Sequence, residues 1–389
     1  MSWKTVKLSE VCELINGRAY SQSELLEVGK YPVLRVGNFF TNRNWYYSDL
    51  ELEDKKYCDF GDLLYAWSAS FGPRFWDGKK SIFHYHIWKV EVNSKLIDKR
   101  FLYHFFDWDV ENIKKESGTG TTMMHVSKKS MDSRIINLPS LKIQQKIVAK
   151  LDTILAEIEI AKAAAEDNAK NTEALFQSYL SKIIKNESEN SKTVKLGMIC
   201  EIARGGSPRP IDKFITNDKD GINWIKIGDA TRSKKYIYET REKIIKEGVS
   251  RSRLVKDGDF LLSNSMSYGR PYIMRTTGCI HDGWLVLSKY EEFLDIDFFY
   301  YLLSSAIVVR QFDSLAQGST VSNLNKELVS RVEVKLPSLS KQKLIVYKLN
   351  ELSNNVDIIK KSYANKATEL LKLKNSILQR AFSGELVKD

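Results

Sequence analysis

KTVKLSEVCE begins at Lys4 and KTVKLGMICE begins at Lys192, identical at seven of ten positions, including Cys12 and Cys200. A chain that restarts itself half-way along is built from two like units, and this restricts the fold before any other property is read. The copies stay in step. YPVLRVGN (31–38) answers INWIKIGD (222–229), GDLLYAWSASFG (61–72) answers GDFLLSNSMSYG (258–269), and GTTMMHVSKKSM (120–131) answers GSTVSNLNKELV (318–329). LPSLKIQQKIVAKLD (138–152) answers LPSLSKQKLIVYKLN (336–350) at nine of fifteen positions. The offset grows from 188 to 198 residues, so copy two carries about ten more, mostly before Gly258.

Each copy has the same inner order. A β-leaning globular part comes first, with short apolar runs broken by Gly, Pro, Asn and Asp. A Leu-Pro closes its last strand, and a long stretch without proline or glycine follows. This predicts an α+β protein with β-rich, mixed α/β globular parts at 1–140 and 192–338, and helices at 141–187 and 339–384. The first helix carries apolar or small residues at Ile147, Leu151, Ile154, Ile158, Ala161, Ala165 and Leu175. The second carries Ile345, Leu349, Leu352, Val356, Ile359, Tyr363, Leu370 and Leu373 in the same phase. Steps of four and three alternate, the 3.5-residue period of a coiled coil. At 1.5 Å per residue each helix would be roughly 65 Å long. The first leads into the second globular copy and the second leaves it, so paired helices must run antiparallel. The expected product is two similar domains held apart by a two-helix rod, related by a pseudo-twofold axis.

Net charge is +11 with a pI near 9.2, a balance that favours nucleic acid as a partner. The excess is not uniform. Residues 1–140 hold 20 basic and 18 acidic side chains, and 192–338 hold 23 and 18. DNA binding would therefore rest on local clusters. The four cysteines contain no C-x-x-C pair, and no apolar run approaches 18 residues. These features predict a soluble cytoplasmic protein without disulfides, structural zinc or membrane contact.

Catalytic signatures are missing. A methyltransferase needs a Gly-rich cofactor loop after a first strand and an (N/D)-P-P-(Y/F) segment, and neither is present. RGGSPRP (204–210) lacks the strand-then-helix setting of a nucleotide site, and GTGTT (118–122) reads as a turn rather than the start of a phosphate loop. RVEVK (331–335) contains the E-x-K fragment of many nucleases, but its repeat partner SRIIN (133–137) does not, so a plain strand is the better reading. HYH (84–86) answers His281 and Gly283 without further ligands, which favours hydrogen-bonding histidines over a metal pair. The chain reads as non-catalytic, with no metal or cofactor of its own.

Cationic and amide residues instead sit on loops beside aromatics. Copy one offers Arg18, then Arg35, Asn38, Arg43 and Asn44, then Arg74, Trp76, Lys79 and Lys80. Copy two offers Arg204, Ser207 and Arg209, then Lys226, Asp229, Arg232, Lys234 and Lys235, then Arg251, Arg253, Asn264 and Arg270. Arg and Lys read guanine edges, Asn reads adenine, and the same cations neutralise phosphates. The loops correspond between copies yet differ in sequence while the framework matches, as expected of two readers of different sequences on one scaffold.

The doubled G-(S/T)-T…(S/N)-K stretch leading into LPSL…Q…IV…L, each time followed by a long helix, and the ending LQRAFSGEL (378–386), resemble the specificity subunit of type I restriction–modification systems. The family spelling is Pro-Pro-Leu with Glu-Gln, where this chain has Pro-Ser-Leu with Ile143-Gln144 or Lys341-Gln342. The resemblance spans essentially the whole chain. It implies two target recognition domains, each reading half of a split, asymmetric double-stranded DNA site. It also implies helices that set the gap and dock two modification subunits. Those partners would carry S-adenosylmethionine, and joining restriction/translocase subunits would use ATP and Mg. A rival reading keeps the coiled coil as a protein-binding scaffold with vestigial DNA-recognition domains.

Overall fold

The computed structural model describes residues 3–68, 70–117, 125–264, 268–316 and 323–387, so the GTGTT segment lies outside the described residues. The chain divides into two compact units, Met1–Ala165 with Asn365–Asp389, and Glu166–Ala364.

Unit 1 begins with β1 (Lys4–Lys7), β2 (Cys12–Asn16), β3 (Tyr31–Leu34), α1 (Val36–Thr41), β4 (Tyr46–Ser48) and β5 (Tyr57–Cys58). It continues with β6 (Leu63–Ser68), β7 (Ser70–Phe75), β8 (Ser81–Phe83), β9 (Ile87–Val92), α2 (Lys99–Ser117), α3 (Lys128–Asp132), β10 (Ile135–Leu138) and the start of α4 (Leu141–Glu187). One sheet has the order β2-β9-β6-β7 and is antiparallel. The other has the order β4-β3-β8-β5, with β3 and β8 parallel. Leu34, Phe39, Leu64, Trp76, Phe83 and Ile87 are buried together as one core cluster drawn from both sheets and α1.

Unit 2 repeats this plan through β11 (Lys192–Lys195), α5 (Leu196–Ile199), β12 (Glu201–Arg204), β13 (Ile215–Thr216), β14 (Ile222–Ile225), α6 (Ile227–Arg232), β15 (Tyr236–Ile237) and β16 (Glu242–Ile244). Then come β17 (Arg253–Val255), β18 (Phe260–Ser263), β19 (Pro271–Met274), β20 (Gly278–Ile280) and β21 (Trp284–Ser288). The helices α7 (Ile296–Ser304), α8 (Ala306–Ala316) and α9 (Lys326–Ser330), then β22 (Glu333–Leu336) and α10 (Leu339–Phe382), follow. Its sheets are β12-β21-β18-β19-β15 and β13-β16-β14-β20-β17, the latter with β14 and β20 parallel. The added strands β13 and β15 both precede Gly258, where the repeat alignment gains its extra residues.

The repeated opening has a structural reason. β1 pairs antiparallel with β10, Lys4 opposite Leu138, and β11 pairs with β22, Lys192 opposite Leu336. Each ribbon alternates inward and outward, so Val6 and Ile136, or Val194 and Val334, face the core. The repeated cysteine lies just beyond: the Cys12 and Cys200 thiols donate to the carbonyls of Leu8 and Leu196, and burial pushes both up to about 12. They are packing groups at neutral pH.

After each Leu-Pro the chain enters a long helix anchored by one glutamine. Gln144, fully buried, accepts from the Asp98 N–H at 2.8 Å and donates to the carbonyls of Leu96 and Pro139. Gln342 makes the same three bonds with Asp295, Phe293 and Pro337. Each side chain thus satisfies three buried backbone groups and fixes the helix start against its own globular part.

The two long helices pack together. In unit 1, Ile147 and Leu151 of α4 share a core with Leu378, Ala381 and Phe382 of α10, and Phe382 stacks on Trp108 of α2 with ring centres 5.4 Å apart. In unit 2, Phe176, Leu180 and Ile184 of α4 share a core with Ile345, Leu349 and Val356 of α10. Ion pairs flank these contacts, Lys348 with Glu187 and Lys360 with Glu173. The covered stripe departs from the heptad phase. Ile147, Ile158 and Leu180 are buried and Ala169 between them is half-buried, an eleven-residue step; Ile345, Val356 and Leu378 are buried with Ala367 half-covered. Leu175, Ile359 and Leu373, assigned above to a 3.5-residue seam, are 69%, 44% and 47% exposed. A straight α-helix drifts about 20° per heptad, so over several turns the covered positions slip by one residue, to Phe176, Lys360 and Lys374. Ile154, Ala161, Leu352, Tyr363 and Leu370 are half-covered, and Ala165 is buried.

Among the described residues no helix is long and apolar enough to cross a membrane, and no group of three His, Cys, Asp or Glu is placed to hold a metal ion.

Candidate nucleic-acid interface

In unit 1 the predicted residues gather around α1 and the turn after it. Asn42 and Asn44 take positive φ there (53° and 55°), which turns the chain sharply between α1 and β4. Arg35, Arg43 and Asn44 line one open cleft of about 700 Å³. Arg74, Trp76 and Lys79 line a neighbouring hollow of about 340 Å³, and both share Asn38 and Trp45. Arg35 is exposed and lies 5.2 Å over the Tyr46 ring. Arg43 is exposed and has no ion pair among the described residues. Lys80 sits 4.4 Å over the Tyr57 ring. Arg74 is tied to Asp77 and to the Phe39 carbonyl, and Arg18 to Glu24 at 2.7 Å.

In unit 2 an open cleft of about 1280 Å³ is lined by Ser207, Arg209, Lys226, Trp224, Glu242, His281 and Asp282. Asp282 is its hub. The Ser207 hydroxyl donates to its carboxylate at 2.6 Å and, as the chief cause, holds that group below the usual carboxylate range. Arg204 and Asn264 donate to its carbonyl, and Arg209, 81% exposed, approaches the carboxylate at 3.4 Å. Arg253 donates to the Arg204 carbonyl, and Arg251 lies over Phe214. Lys226 pairs with Glu242 at 2.6 Å. Arg270 is exposed, and Lys234 pairs with Asp357 of α10 at 2.9 Å.

Six residues assigned to DNA are instead turned into the framework. Asn38 and Asp229, 4% and 6% exposed, occupy equivalent positions and accept from the backbone N–H of Arg35 and Lys226 as the chain enters α1 and α6. Arg232 is drawn onto Asp229 as its counter-ion. The Trp76 indole is buried and donates to the Lys79 carbonyl. Asn264 is buried on Asp282, and Lys235 is enclosed by Asp297 and the rings of Tyr236, Tyr300 and Tyr301. Side chains that can contact DNA also cap helices, close turns and pair with buried carboxylates, and in these six the local partner wins. Asp282 and His281 went unassigned in the sequence. The signal for them was their repeat position opposite HYH.

The family model for the type I restriction modification DNA specificity domain matches twice, over residues 1–168 and 188–366. The EcoBI specificity subunit of Escherichia coli is 26% identical, across 99% of this chain and 86% of that protein. The MjaVIII specificity subunit of Methanocaldococcus jannaschii is 23% identical, across 99% and 93%. A solved chain from a study of complex assembly and conformational transition of the type I R-M system superposes with a TM-score of 0.76 at 21% identity, covering 99% and 98% of the two chains. HsdS from Thermoanaerobacter tengcongensis does so at 0.51 and 19%, covering 99% and 97%. These structural likenesses carry the fold, and the twice-matched family model carries the kinship: this chain belongs to the family of type I restriction–modification specificity subunits.

Proposed function

We propose that each globular unit reads one half of a bipartite, asymmetric DNA site, while the long helices, paired as an antiparallel coiled coil about a pseudo-twofold axis, set the spacer and dock two modification subunits. One observation carries this reading: the same framework occurs twice, yet its cleft-lining side chains differ, Arg43 and Arg74 in one unit against Ser207 and Arg209 in the other. Duplicated scaffold with divergent cationic surface is the requirement for addressing two different half-sites from one chain. Methylation chemistry then belongs to partners that bring S-adenosylmethionine, and DNA translocation to partners that use ATP and Mg. The cytoplasm, where these partners and the DNA meet, is the expected compartment.

The experiment is co-expression with modification subunits followed by mapping of methylated adenines. The expected result is a split motif with a fixed gap and activity that requires both components. Methylation by this chain alone, or an unsplit motif, would overturn the proposal.

A further inference from the structure

The reading above gives the two units different half-sites. Features common to both units must then meet something both half-sites share, and that is the sugar–phosphate backbone, which positions a protein without carrying sequence.

One such feature is duplicated in detail. The parallel strands β3 and β8 end at Leu34 and Phe83, and the next residues are Arg35 and His84, with the His84 N–H donating to the Leu34 carbonyl at 2.8 Å. The parallel strands β14 and β20 end at Ile225 and Ile280, and the next residues are Lys226 and His281. The carboxyl ends of parallel strands are the common place for ligand sites in open sheets that contain them. In each copy the backbone N–H two residues on donates to the imidazole Nδ1, from Gly283 at 2.8 Å and from His86 at 3.4 Å. Nε2 therefore carries the proton, and it makes no hydrogen bond among the described residues. Burial, then His86, then Arg35 hold His84 down to about 4; burial also lowers His281. Both rings are neutral donors at neutral pH.

The backbone approaches closely at the same point. A Cβ on Gly17 would lie 2.2 Å from the Phe83 carbonyl oxygen, and one on Gly205 would lie 2.1 Å from that of His281. Only glycine fits beneath either histidine turn. The cation differs in its companion. Arg35 lies over Tyr46, and Lys226 pairs with Glu242, which holds the register position of Tyr46 in the second copy.

We propose that Arg35 with His84, and Lys226 with His281, form a duplicated clamp that grips one DNA backbone phosphate in each half-site. The cation supplies charge and the neutral imidazole donates its Nε2–H to a phosphate oxygen. Glu242 competes for Lys226, so the unit 2 clamp is the weaker of the two.

The test uses the chain assembled with its modification subunits, a duplex carrying the mapped motif, and a scrambled duplex. Arg35→Ala should weaken both duplexes by the same factor, roughly tenfold, and lower the salt slope of binding by about 1. His84→Ala should weaken both equally with the slope unchanged, and His84→Gln, which keeps an outward N–H, should restore affinity. Lys226→Ala should act as Arg35→Ala does, with a smaller effect. The methylated motif should stay the same in every variant, and melting curves verify folding. Relaxation of one half-site would make these residues base readers and overturn the clamp, as would unchanged affinity. An equal deficit in the Ala and Gln variants would assign His84 a structural role and also overturn it. If the wild-type complex fails to prefer the motif over the scrambled duplex, the bipartite reading fails, while uniform losses in the variants would still support the clamp.

Discussion

Gln144 and Gln342 each close three buried backbone hydrogen bonds at the start of a long helix. Gln144→Leu keeps the bulk but strands one N–H and two carbonyls, which costs roughly 3 kcal/mol. The expected outcome is a melting temperature about 6–12 °C lower, with Gln144→Glu intermediate; scanning calorimetry checks it. His84 gives a pH dependence. Its folded pKa, about 4, lies below the ordinary value of 6.5, so folding favours the neutral ring. The stability this contributes is present above about pH 6.5 and is lost as pH falls toward 4. Urea titrations at pH 7.5 and 5 should show the loss, and His84→Gln should shrink it. At this scale the sequence was only partly legible. Exposed cations such as Arg43 and Arg209 could be picked out as candidates because long charged side chains remain in solvent. Asn38, Asp229 and Asn264 misled because their short polar groups reach a backbone partner before they reach solvent.

At the scale of elements, α4 and α10 are legible because they lack proline and glycine and follow a Leu-Pro that ends a strand. Their apolar phase was legible only in part. Heptad and eleven-residue spacing agree from Ile147 through Ile158 to Ala165, and separate by one residue near Leu175. Neighbouring positions now distinguish the two. Phe176→Ala should destabilise unit 2 by about 3–5 kcal/mol, while Leu175→Asn should change stability by no more than about 0.5 kcal/mol. Denaturant midpoints of the two variants decide between the stripes, and a reversed order would restore the heptad seam. The sheets were legible as short β-rich runs, but the parallel pairing of β3 with β8 was not, since it joins segments some fifty residues apart through local strands that carry no sign of it.

For the whole molecule the repeat was the most informative signal, because one topology satisfies both copies. The differences between the copies are what the proposed function turns to use. Replacing Arg43, Lys79 and Lys80 by alanine should relax one half of the methylated motif, and replacing Arg209, Arg251 and Arg270 should relax the other. Each lost base contact is worth about 1–3 kcal/mol. Methylation mapping of both triple variants reads this out, and simultaneous relaxation of both halves in either variant would sink the idea of independent readers.

Leu378, Ala381, Phe382 and Val387 complete the core that Val6, Leu8 and Phe101 begin. During synthesis this gives the units opposite fates. Unit 2 is contiguous, Glu166–Ala364, and can close as it leaves the ribosome; unit 1, made first, must wait with an open apolar face until α10 has emerged. A premature stop in the last helical turns would therefore damage the half of the protein translated earliest, and a chaperone would be needed longest by the segment that has already been outside the ribosome longest.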